Sequence, residues 1–333
     1  VPWYLPSGGY EVGLVSGGYR VEGPTASLTI PPQPKTHQTT GSNPLPMVQK
    51  RTFRGRPTVF VNGKPFAWKG YSSYDYQPGN VSEFGASGVT CFTVPVAAGR
   101  HIYPIAEQTW LSASEFDFSE LDERICCSLQ ANPDAMIALR VGLAMPQWWI
   151  QQHEDELALI DAEPGKLFWE EGGNGRVPSI ASEVWLRDQE RALRALIQHC
   201  RSQPWASRLI AIWLAGETTE EWFAWGSNDG FYSDYSKCMA RAFSSEAANS
   251  IPKPDQRKAP HWDVYPDTDN GRLAARYHGF ISDLTARVIG RFARVVKDAT
   301  GGRTLVCCFH GYVIELAGEP RQALSGHFGL QTM

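Results

Sequence analysis

The sequence has little excess charge of either sign and no apolar run long enough to cross a membrane. Its formal net charge is -4, with 31 Lys and Arg against 35 Asp and Glu. This balance provides no electrostatic basis for binding nucleic acid or an anionic membrane. The longest apolar runs are far short of the roughly 20 residues that a membrane-spanning helix needs. The first residues also lack the basic and apolar regions of a signal peptide. We therefore predict no nucleic-acid partner and no membrane partner.

The seven cysteines do not form the even, regularly spaced set that a disulfide framework requires. Cys126–Cys127 and Cys307–Cys308 are adjacent pairs inside apolar runs, and the other three stand alone. This pattern predicts reduced, mostly buried thiols and a cytoplasmic location. The sequence also lacks Cys-x-x-Cys and His-Glu-x-x-His spacings, a G-x-G-x-x-G motif and a P-loop. We therefore predict neither a metal ion nor an organic cofactor.

The sequence does have the material for a barrel-sized domain that is rich in aromatic side chains. Its 333 residues are 42% hydrophobic and 20% charged, as is usual for globular proteins. There are 12 tryptophans. Because a buried indole N–H needs a partner, so many tryptophans predict stacking surfaces as well as core. Stacking surfaces of this kind favour a carbohydrate partner.

The composition changes along the chain and predicts two parts. Residues 1–30 alternate apolar and polar positions with frequent glycines, as short antiparallel strands do. Residues 31–47 have the Pro, Thr, Ser and Gly content of a linker. We predict a strand remnant with its linker over residues 1–50 and a second domain over 51–333. Within the second domain, Asn62–Gly63 predicts a hairpin turn.

Apolar strands alternate with long amphipathic helices through the second domain. The hairpin runs on into a first strand, and four more strands are predicted at residues 88–96, 136–145, 209–215 and 304–309. Helices are predicted near residues 119–131, 182–200 and 272–300. Ser119 and Asp122 are predicted as a capping pair, Ser182 as the cap of the second helix, and Gly301–Gly302 as the end of the third. Such alternation indicates parallel βαβ units. Because the strand ends carry Trp, Tyr, Arg and Glu, we predict an α/β fold of the (β/α)8 TIM-type barrel class, incomplete at its five strands.

The strand at 209–215 ends in a dense cluster of acidic and aromatic residues. The cluster contains Glu217, Glu220, Glu221, Trp222, Phe223 and Trp225. Aromatic faces hold a pyranose ring, and an apolar neighbour raises the pKa of a carboxyl group enough for it to donate a proton. Active sites of barrel enzymes lie at such strand ends. The cluster therefore predicts the acid/base site of a sugar-cleaving enzyme.

Further substrate-binding residues are predicted at other strand ends. Arg140 lies within an apolar strand, where a guanidinium group needs a carboxylate or a ligand. It is predicted to organise the acid/base glutamate, to bind a sugar hydroxyl, or to form a structural ion pair. Of Trp148 and Trp149, one is predicted as a stacking platform and the other as core. The remaining predicted contacts are Tyr74, Trp222, His310 and Tyr312.

Three segments carry a family resemblance: GRPTVFVNGKPFAWKGY, FDFSELDERICCSLQANPDAMIALRVGLAMPQWW and GETTEEWFAWG. In this order they resemble clan A glycoside hydrolases, in particular β-galactosidase-like enzymes related to families 42, 35 and 2. The resemblance implies a barrel preceded by a short β-sandwich remnant, and hydrolysis of β-glycosidic bonds by a retaining two-carboxylate mechanism. It places the general acid/base at the end of the fourth strand. Glu221 is favoured over Glu217 because Trp222 supplies desolvation, and Glu220 is expected to be solvated.

The resemblance also implies a glutamate nucleophile at the end of a seventh strand, whereas the predicted strands stop at the fifth. Glu315 and Glu319 follow the fifth strand, and neither is where the resemblance places the nucleophile. We therefore expect a fragment truncated at both ends, with the nucleophile outside it. Two alternatives stay open: the same fold acting on β-glucan or another polysaccharide, and a non-catalytic carbohydrate-binding fragment. An incomplete barrel would leave an open sheet edge, so a homo-oligomer that covers it is also expected.

Overall fold

The structure is a computed structural model, and it describes residues 8–12, 15–16, 19–20, 26–30, 44–74, 76–99, 106–160, 176–216, 220–224, 226–227, 231–257, 265–311 and 326–332. Its strands, in chain order, are β1 (Gly8–Val12), β2 (Val15–Ser16), β3 (Tyr19–Arg20), β4 (Ala26–Ile30), β5 (Val48–Phe53), β6 (Arg56–Val61), β7 (Lys64–Pro65), β8 (Gly70–Tyr71), β9 (Cys91–Ala97), β10 (Trp110–Ser112), β11 (Glu115–Phe116), β12 (Met136–Gly142), β13 (Leu209–Ala215) and β14 (Leu305–Cys308). Its α-helices are α1 (Pro78–Ala86), α2 (Ser119–Ala131), α3 (Gln147–Gln152), α4 (Glu183–Ser202), α5 (Lys237–Ala247), α6 (Pro254–Arg257) and α7 (Asp269–Thr300).

The centre of the fold is a five-stranded parallel sheet in the order β8-β9-β12-β13-β14. Each strand lies beside its predecessor in the sheet, so the chain moves in one direction across it. This order is the one expected when successive βαβ units keep the same hand. The five-stranded parallel sheet confirms the predicted α/β class with parallel strands. Closure of the sheet into a barrel stays a prediction.

The two faces of this sheet pack against different elements. On one face, Val94, Leu139 and Ile212 join the main core with apolar side chains of α1, α2, α4 and α7. On the other face, Ala138 and Ala211 pack with the hairpin formed by β5 and β6. Strands covered on both faces are nearly all apolar, which explains why β13 was predicted at its observed bounds.

The hairpin formed by β6 and β7 turns where the sequence predicts. Asn62 and Gly63 both have positive φ angles, 49° and 80°, as a two-residue hairpin turn requires. The preceding hairpin, formed by β5 and β6, begins at Val48 and therefore crosses the boundary predicted at residue 50. The division into two parts stays a prediction. Farther toward the start of the chain, β1 pairs with β4 and β2 with β3, both antiparallel, as the alternating pattern there predicts.

The long helices begin and end on the expected signals, with one exception. Ser182 accepts a hydrogen bond from the Trp185 N–H and caps α4, and Gly301 ends α7 in the left-handed conformation. The predicted capping pair of Ser119 and Asp122 does not form, because Phe118 occupies the N-cap position of α2. The sequence interpretation did not find α1 or α5. Among the described residues, no helix has both the length and the apolar composition that crossing a bilayer requires.

Candidate functional site

Several of the predicted site residues follow, or lie near the ends of, neighbouring strands of the parallel sheet. Tyr74 follows β8, Arg140 lies near the end of β12, Glu220 and Glu221 follow β13, and His310 follows β14. Because the carboxyl ends of parallel strands meet at one edge, these residues belong to the same side of the sheet. Ligands of open and closed parallel sheets bind at this edge. It is therefore the candidate functional site.

A buried ion pair lies at the centre of the site. The Arg140 Nε atom is 3.0 Å from the Glu220 Oε1 atom, and the two side chains are only 4% and 1% exposed. The expectation that Glu220 is solvated is therefore wrong. The sequence could not show that β12 and β13 are neighbours, which is what brings the guanidinium of Arg140 to this carboxyl group. Of the three roles predicted for Arg140, the structure shows an ion pair with a glutamate of the predicted cluster.

The guanidinium of Arg140 has three further contacts that hold its plane. Nη1 donates to the Ser72 hydroxyl at 3.3 Å, and Nη2 donates to the Ser73 carbonyl at 3.2 Å. The Tyr74 ring lies against the guanidinium, with 4.7 Å between the Arg140 Cζ atom and the ring centroid. Tyr74 is 54% exposed, so its ring links the buried ion pair to the surface.

Burial raises the pKa of Glu220 to about 7, against the opposing effect of Arg140. The neighbouring Glu221 carboxylate raises it further. A group with a pKa near neutrality can both give and accept a proton at physiological pH. The site therefore holds the kind of carboxyl group that acid/base chemistry requires.

The backbone that carries the glutamates is held in a tight, strained turn. Glu220 and Trp222 have positive φ angles of 70° and 65°, a conformation that costs roughly 1–2 kcal/mol per non-glycine residue. The turn is closed by a hydrogen bond of 3.0 Å from the Gly216 N–H to the Glu220 carbonyl. A Cβ atom on Gly216 would lie 2.6 Å from the Trp222 nitrogen, so only glycine fits there. These contacts fix the direction in which Glu220 points.

Of the two predicted acid/base residues, only Glu221 lies among the described residues. It is half-buried, next to Glu220 in the chain, and its charge acts on the Glu220 carboxyl. Glu217 lies outside the described residues, as does Tyr312. The choice between Glu221 and Glu217 as the proton donor therefore stays a prediction.

The tryptophans near the site are held mainly by the core. Trp222 is 5% exposed, packs in the main core and donates from Nε1 to the Leu214 carbonyl at 2.9 Å. The adjoining cavity, which Trp185 also lines, has a volume of about 40 Å³, room for a few water molecules but not for a sugar ring. A sugar contact by Trp222 would therefore require this turn to move. Trp149 is fully buried and donates to Asp188, whereas Trp148 is half-buried and donates to the Trp110 carbonyl.

A second histidine, His327, lies beside the predicted His310, with 4.7 Å between the ring centroids. Burial lowers the pKa of both rings, and that of His327 falls to about 4, so both are neutral at pH 7. No motif in the sequence distinguishes His327 from the other histidines. Among the described residues, no group of three or more His, Cys, Asp or Glu side chains is arranged to hold a metal ion.

Comparison with known proteins gives matches only among solved structures. No protein-family model matches the chain, and no curated protein sequence matches it. The β-galactosidase of the psychrophilic Marinomonas ef1 is 13% identical with a TM-score of 0.45 over 72% of this chain and 36% of its own. The β-galactosidase of Bacillus circulans sp. alkalophilus is 15% identical with a TM-score of 0.42, over 72% and 34%.

A third similar structure is the α-L-fucosidase isoenzyme 2 of Paenibacillus thiaminolyticus, at 10% identity and a TM-score of 0.41, over 76% of this chain and 35% of its own. These neighbours are glycosidases by name. The chain spans about a third of the length of each. With TM-scores below 0.5, these similarities carry no argument about the activity of this chain.

Proposed function

We propose that this chain forms the acid/base half of a glycoside hydrolase active site that acts on β-glycosidic bonds. The observation that carries the proposal is the Glu220–Arg140 ion pair, buried next to Glu221 at the carboxyl edge of the sheet. Proton donation to a glycosidic oxygen needs a carboxyl group whose environment favours the protonated form. Burial has this effect on Glu220, and Glu221 interacts with it electrostatically.

In this proposal Glu221 donates the proton, and the buried carboxyl group of Glu220 interacts with it electrostatically. A proton donor must reach the oxygen that it protonates. The side chain of Glu220 is 1% exposed and faces Arg140, whereas Glu221 is only half-buried. Glu220 therefore acts behind Glu221, whose charge raises the pKa of Glu220. Glu217 is the alternative donor.

The retaining mechanism implied by the sequence resemblance needs a nucleophilic carboxylate about 5–5.5 Å from the acid/base group. We propose that this nucleophile lies outside the described residues. Glu220 is a poor nucleophile here because its oxygen atoms are enclosed and its pKa lies near neutrality. Glu221 would protonate the departing sugar oxygen, and would then take a proton from the water that releases the glycosyl group.

The sugar would bind on the aromatic side chains that remain accessible. Tyr74 is exposed beside Arg140, and Trp148 is half-buried at the start of α3. An aromatic face suits the apolar face of a pyranose ring. We propose a β-galactoside as the substrate, with β-glucan or another polysaccharide as the alternative. A second copy of the chain that covers the edge of the sheet, and a cytoplasmic location, stay part of the proposal.

The test is hydrolysis of a panel of aryl β-glycosides by the purified chain and by its Glu221→Gln, Glu217→Gln and Glu220→Gln variants. Glu123→Gln, an exposed glutamate on α2, is the matched control. Loss of the proton donor should lower kcat by about 10²–10⁴-fold, and we expect this loss in Glu221→Gln. Equal turnover by Glu221→Gln and the wild-type chain would contradict the proposal. Binding of sugars without turnover by the wild-type chain would support a non-catalytic carbohydrate-binding role instead.

A further inference from the structure

Residues 326–332 lie along helix α7, close to the turn that carries the two glutamates. A Cβ atom on Gly329 would lie 2.3 Å from the Ser282 carbonyl oxygen, so the backbone contacts the helix directly there. Thr332 donates from its hydroxyl to Asp283 at 2.7 Å. Gly326 has a φ angle of 80° and packs near Thr285. These contacts fix residues 326–332, which we call the α7-bound segment, on the helix.

The α7-bound segment presents one side chain to the turn. His327 is 1% exposed, and its ring is stacked on Phe223 with 4.5 Å between the centroids and 3° between the planes. The ring also hydrogen-bonds the main chain of Glu221 and Trp222, and these bonds favour the protonated imidazole. A hydrogen bond to the main chain favours the protonated imidazole when a ring N–H donates and a main-chain carbonyl accepts. His327 therefore contacts three consecutive residues that begin with the proposed proton donor.

The turn needs contacts of this kind because of its backbone conformation. Left-handed residues persist only where surrounding contacts hold them, and Glu220 and Trp222 are both left-handed. On the side of β13, the Gly216–Glu220 hydrogen bond and the Trp222 indole hold the turn. On the opposite side, the main chain of Glu221 and the ring of Phe223 are held by His327.

We propose that His327 is a positioning residue that fixes the main chain at Glu221 and, through it, the direction of the Glu221 carboxyl group. The consequence for catalysis rests on the proposed function, whereas the structural consequence does not. The neutral state of the ring fits this role, because a neutral imidazole keeps one N–H to donate without burying a charge. His310, whose ring is tilted by 46° from that of His327, favours the same neutral state.

The structural part is tested by amide hydrogen exchange in peptides that cover residues 214–224. We expect at least tenfold faster exchange there in His327→Ala, and no change in Phe328→Ala. Phe328 is the matched control because it is the next residue and is 44% exposed. Gly329→Ala should produce the same acceleration with His327 intact, because the added Cβ atom displaces the α7-bound segment. Peptides from α2 and α4 report global stability and should not change. If α4 also exchanges faster in His327→Ala, the substitution has lowered global stability. Exchange at residues 214–224 is then compared between wild type and His327→Gln instead.

The catalytic part is tested by steady-state kinetics of the same variants. In His327→Ala we expect kcat to fall by tenfold or more with KM little changed. We expect partial recovery in His327→Asn or His327→Gln, which place an amide N–H near the positions of Nδ1 and Nε2. Unchanged exchange at 214–224 in both His327→Ala and Gly329→Ala would overturn the positioning role. A different result is faster exchange at 214–224 in these variants while the wild-type chain hydrolyses no glycoside. That result would support the positioning role of His327 and would contradict only the proposed function.

Discussion

The Nε atom of Arg140 lies 3.0 Å from the Oε1 atom of Glu220, and the pair is almost completely buried. Arg140 comes from β12 and Glu220 follows β13, its neighbour in the sheet. Breaking a buried pair by removing one partner leaves an uncompensated polar group and is more harmful than breaking a surface pair. The pair therefore fixes the end of β13 to the end of β12, at the edge where the proposed chemistry takes place.

Replacing Arg140 with Met should raise the pKa of Glu220 beyond its value of about 7, because the guanidinium is the group that lowers it. It should also destabilise the fold by about 3 kcal/mol, the lower end of the range for broken buried pairs, since Glu220 can respond by taking up a proton. The pKa is followed by carboxyl infrared or NMR titration, and the stability by urea denaturation. The control is Arg194→Met, on the exposed side of α4. An unchanged carboxyl titration in Arg140→Met would show that the pair does not set the protonation of Glu220.

Glu220 should make the protein less stable as the pH rises from about 4.5 to about 7. Its pKa in the folded state, about 7, is above the ordinary value of 4.5, so the native state holds a proton that the unfolded state has released. The favourable effect of the protonated form is complete below pH 4.5 and is lost as the pH rises through 7. Glu220→Gln should remove this slope, as measured by the free energy of unfolding at several pH values. If the free energy of unfolding depends on pH equally in Glu220→Gln and wild type, another group is responsible for that dependence.

His327 should have the opposite effect at lower pH. Its pKa falls from an ordinary 6.5 to about 4 in the folded protein, so the unfolded chain binds the proton first. Its contribution to stability is complete above pH 6.5 and declines as the pH falls toward 4. Hydrogen exchange of residues 214–224 at pH 7 and pH 4.5, corrected for intrinsic exchange rates, measures this decline. His327→Asn, which cannot take up this proton, should show a smaller difference between the two pH values than wild type does.

Gly216→Ala should disturb the turn more than its small size suggests. The new Cβ atom would lie 2.6 Å from the Trp222 nitrogen, and an overpacked contact of this kind costs about 1–3 kcal/mol. Gly279→Ala is the matched control, because its Cβ atom meets nothing within 4 Å on the exposed side of α7. It should stabilise the helix by about 0.5–1 kcal/mol. Thermal unfolding of both variants gives the comparison, and two equal changes would contradict the tight packing of the turn.

Local sequence patterns predicted a strand, turn or helix well where the residues that cause it lie within one short segment. The apolar run of β13, the Asn62–Gly63 turn, and the Ser182 cap of α4 with its amphipathic pattern all have their causes within a few residues. Helix α1 was missed because its amphipathic pattern is weak. Its prolyl start and its short length also resemble a loop in the sequence.

The candidate site was predicted from the sequence, but its internal arrangement could not be. Glu220 and Glu221 follow β13 at the carboxyl edge of the sheet. Which glutamate is buried depends on Arg140 of another strand and on the left-handed backbone at Glu220, and neither is visible in the local sequence. His327 was missed for the same reason, since its contact with Phe223 depends on the course of the α7-bound segment.

The most direct test of the account is the dependence of kcat/KM on the leaving group, for wild type and Glu221→Gln, across aryl β-glycosides of increasing phenol basicity. A missing proton donor matters most when the leaving group is basic. We expect Glu221→Gln to retain activity toward nitrophenyl glycosides and to lose about 10²-fold or more toward phenyl glycosides. Parallel dependence in the two proteins would contradict the assignment of Glu221 as the proton donor.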